Sequence, residues 1–358
     1  MWRGSGRLET LKLYGFSNPI ISNTSYTQEM FIGNVEVKGL ARLAPMAGIS
    51  NAPYRIVARE CGSALTTSEE IDATGLTRKN SKTRYDIAKY LPEEKPIALQ
   101  ILGSNAETLV PGAQWLQDRG ADIIDLNMGC PVPKITKTGR GSAMMRDVEK
   151  TSEILQAMRK VITVPFTIKI RSGWDQEHLN AVEVAKMAED VGVDAITVHP
   201  RTRAQRFTGL STWDMIAQVV DAVSIPITGN GDVQSMSDAR KMQIATGCQS
   251  VMIGRAAIGK PWVFDETFED LSSEGKYDYQ TRVIDRHMPL IMEHFPEKVG
   301  LIQMQRHLSW YAGGRDRVRS FRVELFATRT YDEARSVFDR YWESVNPAVS
   351  KQPHLVAV

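Results

Sequence analysis

The chain has 358 residues, of which 42% are hydrophobic and 24% charged, so it carries enough apolar material for a large core and excludes a largely disordered protein. Its formal net charge of +2 excludes polyanion binding by general surface charge, and a polyanion partner needs a local basic patch. Three cysteines without paired spacing argue against a disulfide framework or a metal site, and no apolar run of about 18 residues predicts a membrane span, so we expect a cytoplasmic protein without bound metal.

The first 29 residues are rich in Ser, Asn, Thr and Gly and show no sustained hydrophobic period. We interpret residues 1–29 as a poorly ordered N-terminal extension, and the alternative is a short ordered arm over one end of the following domain. A strand-like pattern begins directly after Met30.

Eight short apolar runs then alternate with amphipathic segments, which is typical of βα units around a parallel sheet. The runs are Leu40–Pro45, Ala64–Ser68, Ile97–Leu102, Ile123–Leu126, Phe166–Ile170, Ala195–Val198, Ile225–Thr228 and Ser250–Ile253. Eight runs, together with the absence of an early G-x-G-x-x-G motif, favour a (β/α)₈ TIM barrel over an open dinucleotide-binding sheet. We place this α/β barrel domain at residues 30–265.

The pattern changes to helices alone after Pro261. Apolar residues recur at helical spacing, as at Ile284, Met288 and Ile291. The sequence therefore predicts a small C-terminal helical domain at residues 275–345, followed by a tail at 346–358.

Polar or glycine-bearing clusters follow the predicted strands, at the end where barrel active sites are built. Each cluster alone is also compatible with ordinary turn chemistry, but eight in register favour a functional site. The clusters are Pro45–Gly48, Ser68-Glu69, Gln100, Asn127–Pro131, Lys169–Arg171, His199–Thr202, Gly229–Asp232 and Gly254-Arg255.

Gly229–Asp232 and Gly254-Arg255 follow the seventh and eighth strands, where barrels commonly bind phosphate. Their backbone N–H groups and the Arg255 guanidinium suit an anion, although two ordinary loops and a surface arginine explain them almost as well. Lys169 lies within a strand and needs an anionic partner, such as a reduced flavin. Gln100 has an amide that can both donate to and accept from a flavin pyrimidine edge, and His199 either contacts the same cofactor or is a structural histidine.

Cys130 lies in a loop between Gly129 and Pro131, at the predicted catalytic end of the barrel. A cysteine there can be a nucleophile, a base or an acid, and the residues alone leave these three roles open. Cys61 and Cys248 precede strands at the opposite end, so we expect them to be packing residues.

The motifs Ala44–Gly48, Asn127–Pro131, Lys169–Arg171, His199–Arg203 and Asn230–Asp232, in this order and spacing, resemble those of bacterial tRNA-dihydrouridine synthases. The similarity covers roughly residues 35–340. It departs from the family pattern at Glu70, at the turn Ala312–Asp316 and in the N-terminal extension.

This resemblance implies reduction of uridine in tRNA by FMN, with NADPH or NADH as the reductant. The flavin would pass a hydride to C6 of the uracil, and Cys130 would protonate C5. The residues it assigns to FMN, with His199 added, are Pro45, Met46, Ala47, Gln100, Lys169, His199, Asn230, Gly231, Asp232, Gly254 and Arg255.

The predicted tRNA contacts come from both domains, with Asn127 orienting the base. The others are Arg171, Lys134 and Arg203 around the barrel end, and Arg315, Arg319 and Arg322 in the helical domain. The last three have i, i+4, i+7 spacing and would share one helix face, although an ordinary solvated arginine face is an equal alternative. We expect a monomer without a protein partner.

Two other functions fit parts of this pattern. One is a flavin enzyme for a small pyrimidine, of the dihydroorotate dehydrogenase type, with the loop cysteine as base. The other is a flavin-free RNA-binding barrel. The basic residues that follow Cys130 and His199 count against the first, since one small substrate does not need them, and the presence of Cys130, Lys169 and Gln100 counts against the second.

Overall fold

The computed structural model describes residues 29–81 and 83–346, so most of the predicted extension at 1–29 and nearly all of the tail at 346–358 lie outside the described residues. The described residues divide into two compact units. The first comprises residues 29–258 and Val263–Asp265, and the second comprises Gly259–Trp262 and residues 266–346. The domain limits at 265 and 275 stay a prediction.

The first unit is a closed barrel of eight parallel strands, as the alternating pattern predicted. These strands are β3 (Ala41–Leu43), β4 (Thr66–Thr67), β6 (Ile97–Leu102), β7 (Ile123–Met128), β8 (Phe166–Arg171), β9 (Ala195–His199), β10 (Ile227–Asn230) and β11 (Ser250–Ile253). Each of the eight predicted runs contains or overlaps one of them. Pairing of β11 with β3, and of β4 with β6, closes the ring.

Helices surround the barrel because their apolar stripes pack on the outer faces of the strands. They are α1 (Ala52–Glu60), α2 (Ala73–Thr77), α3 (Ala106–Asp118), α4 (Pro133–Thr136), α5 (Val148–Arg159), α6 (Ala181–Val191), α7 (Asp214–Ala222) and α8 (Met236–Thr246). Side-chain caps such as Asn51, Asn105 and Ser235 accept bonds from backbone N–H groups in the first turn of their helices.

A short extra strand, β5 (Ile71–Asp72), continues the chain beyond β4 and pairs with the end of β6. Ile71 lies opposite Ile101, and Asp72 lies opposite Leu102. This pairing holds the segment between β4 and β5 at the carboxyl end of the barrel, where it carries Glu69 and Glu70.

The amino end of the barrel packs against a hairpin that the sequence pattern did not resolve. β1 (Glu29–Ile32) and β2 (Val35–Lys38) pair antiparallel through a turn at Gly33, whose φ is +55°. A side chain at Gly33 would collide with Pro165. Buried Met30, Ile32 and Val37 of the hairpin form one apolar cluster with residues of the barrel strands, including Leu65, Ala98, Ile123 and Ala195.

The second unit consists of four helices, α9 (Ser273–His294), α10 (Glu297–Tyr311), α11 (Val318–Ala327) and α12 (Tyr331–Ser344). Within it, Phe321 stacks on Tyr341 and Phe338 stacks on Trp342. Thr330 caps α12 by accepting a bond from the N–H of Glu333, while the Glu333 carboxylate accepts from the N–H of Arg329. Among the residues with described structure, no helix combines the length and apolarity needed to cross a bilayer.

Candidate active site

Polar side chains cover the carboxyl end of the barrel because every second residue of a strand faces the interior. The strand register places Asn127 opposite Lys169, Lys169 opposite Thr197, and Arg171 opposite His199. Residues from β7, β8 and β9, far apart in sequence, are therefore neighbours at one end of the barrel.

A chain of buried amide and carboxyl groups runs across this end. Gln100 donates from Nε2 to Asp125 Oδ2 at 2.7 Å and accepts at Oε1 from Asn127 Nδ2 at 2.8 Å. Thr167 donates to the other oxygen of Asp125 at 2.6 Å. Burial raises the pKa of Asp125 to about 6, against the stabilising bonds from Thr167 and Gln100. These contacts hold Gln100 and Asn127 in one orientation.

The Cys130 loop is fixed by the same asparagine. Asn127 Oδ1 accepts from the N–H of Gly129 at 3.1 Å and from the N–H of Cys130 at 2.9 Å. Ser142 donates to the carbonyl of Cys130 through both its N–H and its hydroxyl, at 3.1 Å and 2.9 Å. A side chain at Gly141 would collide with Cys130, so this loop needs glycine there.

The Cys130 thiol is half-buried and protonated at neutral pH. Burial raises its pKa to about 11, the negative charge of Glu70 adds to this effect, and Arg171 opposes it. A thiol held in this form suits an acid better than a nucleophile or a base.

Lys169 places its ammonium at the centre of the site. Its Nζ donates to Asn230 Oδ1 at 3.0 Å, and no ion pair joins it to a carboxylate within residues 29–81 and 83–346. Burial, together with the positive charge of nearby Arg171, lowers its pKa to about 8, while the negative charge of Asp125 opposes the change. An anionic ligand would compensate this cation better than Asn230 does.

Gly231 and Asp232, after β10, lie beside Arg255, after β11, in the region that the sequence predicted as a phosphate site. Arg255 donates to Asp232 Oδ1 at 3.1 Å, and its side chain is 58% exposed. Gly231 has φ +127°, and a side chain there would meet Ser211 and His199. Ser211 Oγ is buried without a hydrogen-bond partner among the described side chains and backbone.

His199 is buried and uncharged at neutral pH. Burial is the main cause of its strongly lowered pKa, with Lys169, Arg171, Arg201 and Arg255 as positive neighbours. Arg201 approaches His199 Nε2 at 3.5 Å, and because a guanidinium can only donate, Nε2 is the acceptor in this contact. The tautomer with its proton on Nδ1 fits this contact.

The remaining residues assigned to a cofactor lie on the loops after β3 and β11. Pro45 and Met46 are half-buried, Ala47 is exposed, and Gly254 follows β11 directly. A side chain at Gly254 would make only ordinary contact with Ala44, so space alone does not require glycine at this position.

The predicted substrate contacts are less uniform. Arg171 is buried and donates to the carbonyls of Gly129, Thr202 and Arg206, so it braces two loops. Lys134 is exposed, and Arg203 lies 4.4 Å from the centre of the Trp174 ring.

The three arginines of the second unit that were predicted to contact tRNA do not share a helix face. Arg315 precedes α11, donates to Gln280 and lies over Trp342, because the chain still turns between Ala312 and Arg317. Arg322 donates to Ser309 at 2.9 Å, and Arg319 is exposed. The expected single stripe is therefore wrong in its geometry.

The sequence pattern missed several residues of this site. Asp125 lies two residues before Asn127 in β7, so strand alternation could have placed it on the same face. Arg201, expected on a basic rim, is buried and pairs with Asp232 at 2.6 Å. Phe207 is exposed, with Arg171 and Arg255 each 5.6 Å from its ring centre. No local signal predicted these two arrangements.

No group of three or more His, Cys, Asp or Glu side chains in the described ranges is placed to hold a metal ion.

The chain matches the family model for dihydrouridine synthase over residues 42–346. Three curated relatives are each called tRNA-dihydrouridine synthase B. The one from Xanthomonas axonopodis pv. citri is 36% identical, over 90% of this chain and 99% of its own length. The one from Pseudomonas aeruginosa is 37% identical, over 79% and 86%, and the one from Vibrio cholerae is 33% identical, over 88% and 99%.

Proposed function

The chain belongs to the dihydrouridine synthase family, and from this premise we propose that it reduces uridine in tRNA to 5,6-dihydrouridine, with FMN as cofactor and Cys130 as proton donor. The match over residues 42–346 is the observation that carries this proposal, because it includes every residue assigned to the site.

The residues at the carboxyl end of the barrel fit FMN in charge and hydrogen bonding. Arg255 and the backbone N–H groups near Gly231 would hold the phosphate. Lys169 would lie against the anionic part of the flavin ring, and Gln100 and His199 would bind its polar edge. The loop Pro45–Ala47 would line the ring. Bound FMN would supply hydride-transfer chemistry here, with NADPH or NADH as the reductant and C6 of the uracil as the acceptor.

Cys130 and Asn127 would act on the base itself. Asn127 Nδ2 and the backbone N–H of Cys130 belong to one hydrogen-bonded unit, so base orientation and acid position are coupled. The thiol would donate its proton to C5 of the uracil. Because its pKa is raised to about 11, nearly all of the thiol holds this proton at neutral pH.

Cations from both units would hold the tRNA backbone. Lys134 is exposed four residues after Cys130, and Arg203 is half-buried and lies over the Trp174 ring. Arg319 is exposed, whereas Arg315 and Arg322 make contacts within the helical unit, so they would contribute to its stability as well. The target base must leave its stack to reach the site. We propose a cytoplasmic monomer that acts without a protein partner.

The proposal is tested by spectroscopy and by mass analysis of tRNA. Purified protein should show a flavin absorption spectrum, and with NADPH it should convert uridine to dihydrouridine in unmodified tRNA. A colourless protein that does not take up FMN would contradict the proposed enzyme activity and favour a flavin-free RNA-binding barrel. A flavin spectrum combined with activity on a small pyrimidine but none on tRNA would favour the dihydroorotate dehydrogenase type.

A further inference from the structure

Glu70 is a half-buried carboxylate that lies beside two residues of the proposed site. It lies between β4 and β5, and it accepts from Asn127 Nδ2 at 3.2 Å. The same Asn127 side chain accepts from the backbone N–H of Cys130 at 2.9 Å, so Glu70 lies beside the Cys130 loop, and its negative charge helps to raise the pKa of the thiol. The proposed reaction assigns no step to the Glu70 carboxylate.

Asn127 links Glu70 to Cys130 through its two amide atoms. Glu70 accepts from Asn127 Nδ2, and Asn127 Oδ1 accepts from the backbone N–H of Cys130. One side chain therefore holds both the carboxylate and the loop that carries the thiol.

The charges around Glu70 and Cys130 favour proton exchange between them. Glu70 faces Arg140, Asp72, Glu69 and Cys130, and burial is the main cause of its raised pKa. Arg140 is itself held by Asp72 at 3.3 Å, which leaves it less able to fix Glu70 as a carboxylate. Cys130 faces Glu70 together with the cations Arg171 and Lys169. Glu70 is thus easier to protonate than an exposed carboxylate.

We propose that Glu70 is a positioning residue that aims the Cys130 thiol and returns its proton after each turnover. This inference rests on the proposed function. When Cys130 protonates C5, the S–H bond breaks, a C–H bond forms and the sulfur keeps the electron pair. Glu70 takes a proton from hydronium or a protonated buffer molecule, which forms its O–H bond. That O–H bond then breaks as the thiolate sulfur uses its electron pair to form a new S–H bond, and the carboxylate is restored. The relay itself involves no oxidation or reduction.

The first test measures the thiol without requiring activity. The rate of Cys130 alkylation by iodoacetamide is followed against pH by peptide mass spectrometry in the parent, Glu70→Gln and Glu70→Met. Removing the negative charge should move the inflection to lower pH and speed alkylation at pH 8 roughly threefold, since higher thiolate content outweighs lower nucleophilicity. Glu107→Gln is the matched control, because Glu107 is an exposed carboxylate of α3 that does not face Glu70 or the thiol, and it should keep the parent profile.

Buried Cys61 and Cys248 report folding in the same digests, because they should resist alkylation in every folded variant. A parent-like Cys130 profile in both folded Glu70 variants would overturn the contact.

The second test separates positioning from proton return. In Glu70→Gln the amide can still accept from the thiol, so the first turnover should keep a rate near that of the parent. The steady-state rate should fall about tenfold and recover with imidazole buffer, whose cation can replace the missing acid. A purely structural role would not respond to buffer.

Equal steady-state rates without a buffer response would overturn the proton return. A parent that forms no dihydrouridine would instead overturn the proposed function and the proton return with it, and the alkylation profile would still decide the contact.

Discussion

The two ends of the barrel are built from the same eight strands and carry opposite chemistry. At the amino end, Met30, Ile32 and Val37 of the hairpin pack with apolar strand residues such as Ile123. At the carboxyl end, Gln100 and Asn127 belong to a polar network. The lesson is that a strand of six residues can serve stability at its first positions and chemistry at its last.

One buried charged residue, Arg42, is an exception to this contrast between the two ends of the barrel. Arg42 lies in β3, is buried inside the barrel, and donates to Ser250 Oγ at 2.8 Å. Burial lowers its pKa to about 10, while the charge of Asp125 opposes this change. A buried cation is thus tolerated below the site because polar partners surround it.

The largest effect should come from the thiol of the carboxyl end. Cys130→Ala should leave FMN bound and reducible by NADPH but slow dihydrouridine formation by about 10²–10⁴-fold, because the proton donor for C5 is gone. Nucleoside mass analysis of tRNA measures this. Cys61→Ala, a change in a fully buried cysteine, should lower thermal stability and keep the rate per folded molecule. Near-parent dihydrouridine formation by Cys130→Ala would remove this residue from the acid role.

A cavity at the amino end should lower stability and leave FMN binding unchanged. Ile32→Ala removes a fully buried side chain from the apolar cluster and should cost about 2–5 kcal/mol of the free energy of unfolding. Denaturant unfolding of the FMN-free protein measures this cost, and the folded fraction should bind FMN as the parent does. Phe31→Ala is a matched control, since Phe31 is 56% exposed in the same strand and should change stability little. Weaker FMN binding in folded Ile32→Ala would contradict the assignment of stability to the amino end and of cofactor binding to the carboxyl end.

Loss of the phosphate contact should weaken FMN binding without unfolding the barrel. Arg255→Ala deletes a charge-assisted contact of about 1.5–3 kcal/mol, so the FMN dissociation constant should rise roughly ten- to a hundredfold. Equilibrium dialysis or flavin fluorescence measures it. Arg59→Ala, which removes a cation at the amino end, should leave FMN affinity unchanged. If Arg255→Ala bound FMN like the parent, the phosphate would have to lie elsewhere.

The smallest effect should appear in tRNA binding. Lys134→Gln should weaken tRNA binding a few-fold and reduce its dependence on salt concentration. One contact with a tRNA phosphate is lost, so binding releases fewer counterions. Lys38→Gln at the amino end, whose lysine pairs with Glu36, should bind tRNA with the parent's affinity and salt slope. Equal losses of tRNA affinity in both variants would mean that the two ends of the barrel do not differ in their contribution to tRNA binding.

The strand pattern predicted the barrel because its apolar runs have the length and spacing of βα units. It also indicated where the site residues lie, since Gln100, Asn127, Lys169 and His199 all fall in the last three positions of their strands. The helical pattern was less complete. It placed Arg315 in a helix, although a turn between Ala312 and Arg317 separates α10 from α11.

The sequence by itself determined the barrel, the end that carries polar groups and the residues that resemble a known family, because these depend on local period and on motif order. Only the tertiary structure decided which polar groups meet. Asp125 joins Gln100, Arg201 joins Asp232, and Glu70 joins Asn127 across gaps of 25 to 57 residues in the chain. Such contacts depend on strand register and loop paths, and these are set by the closure of the whole barrel and not by any single segment.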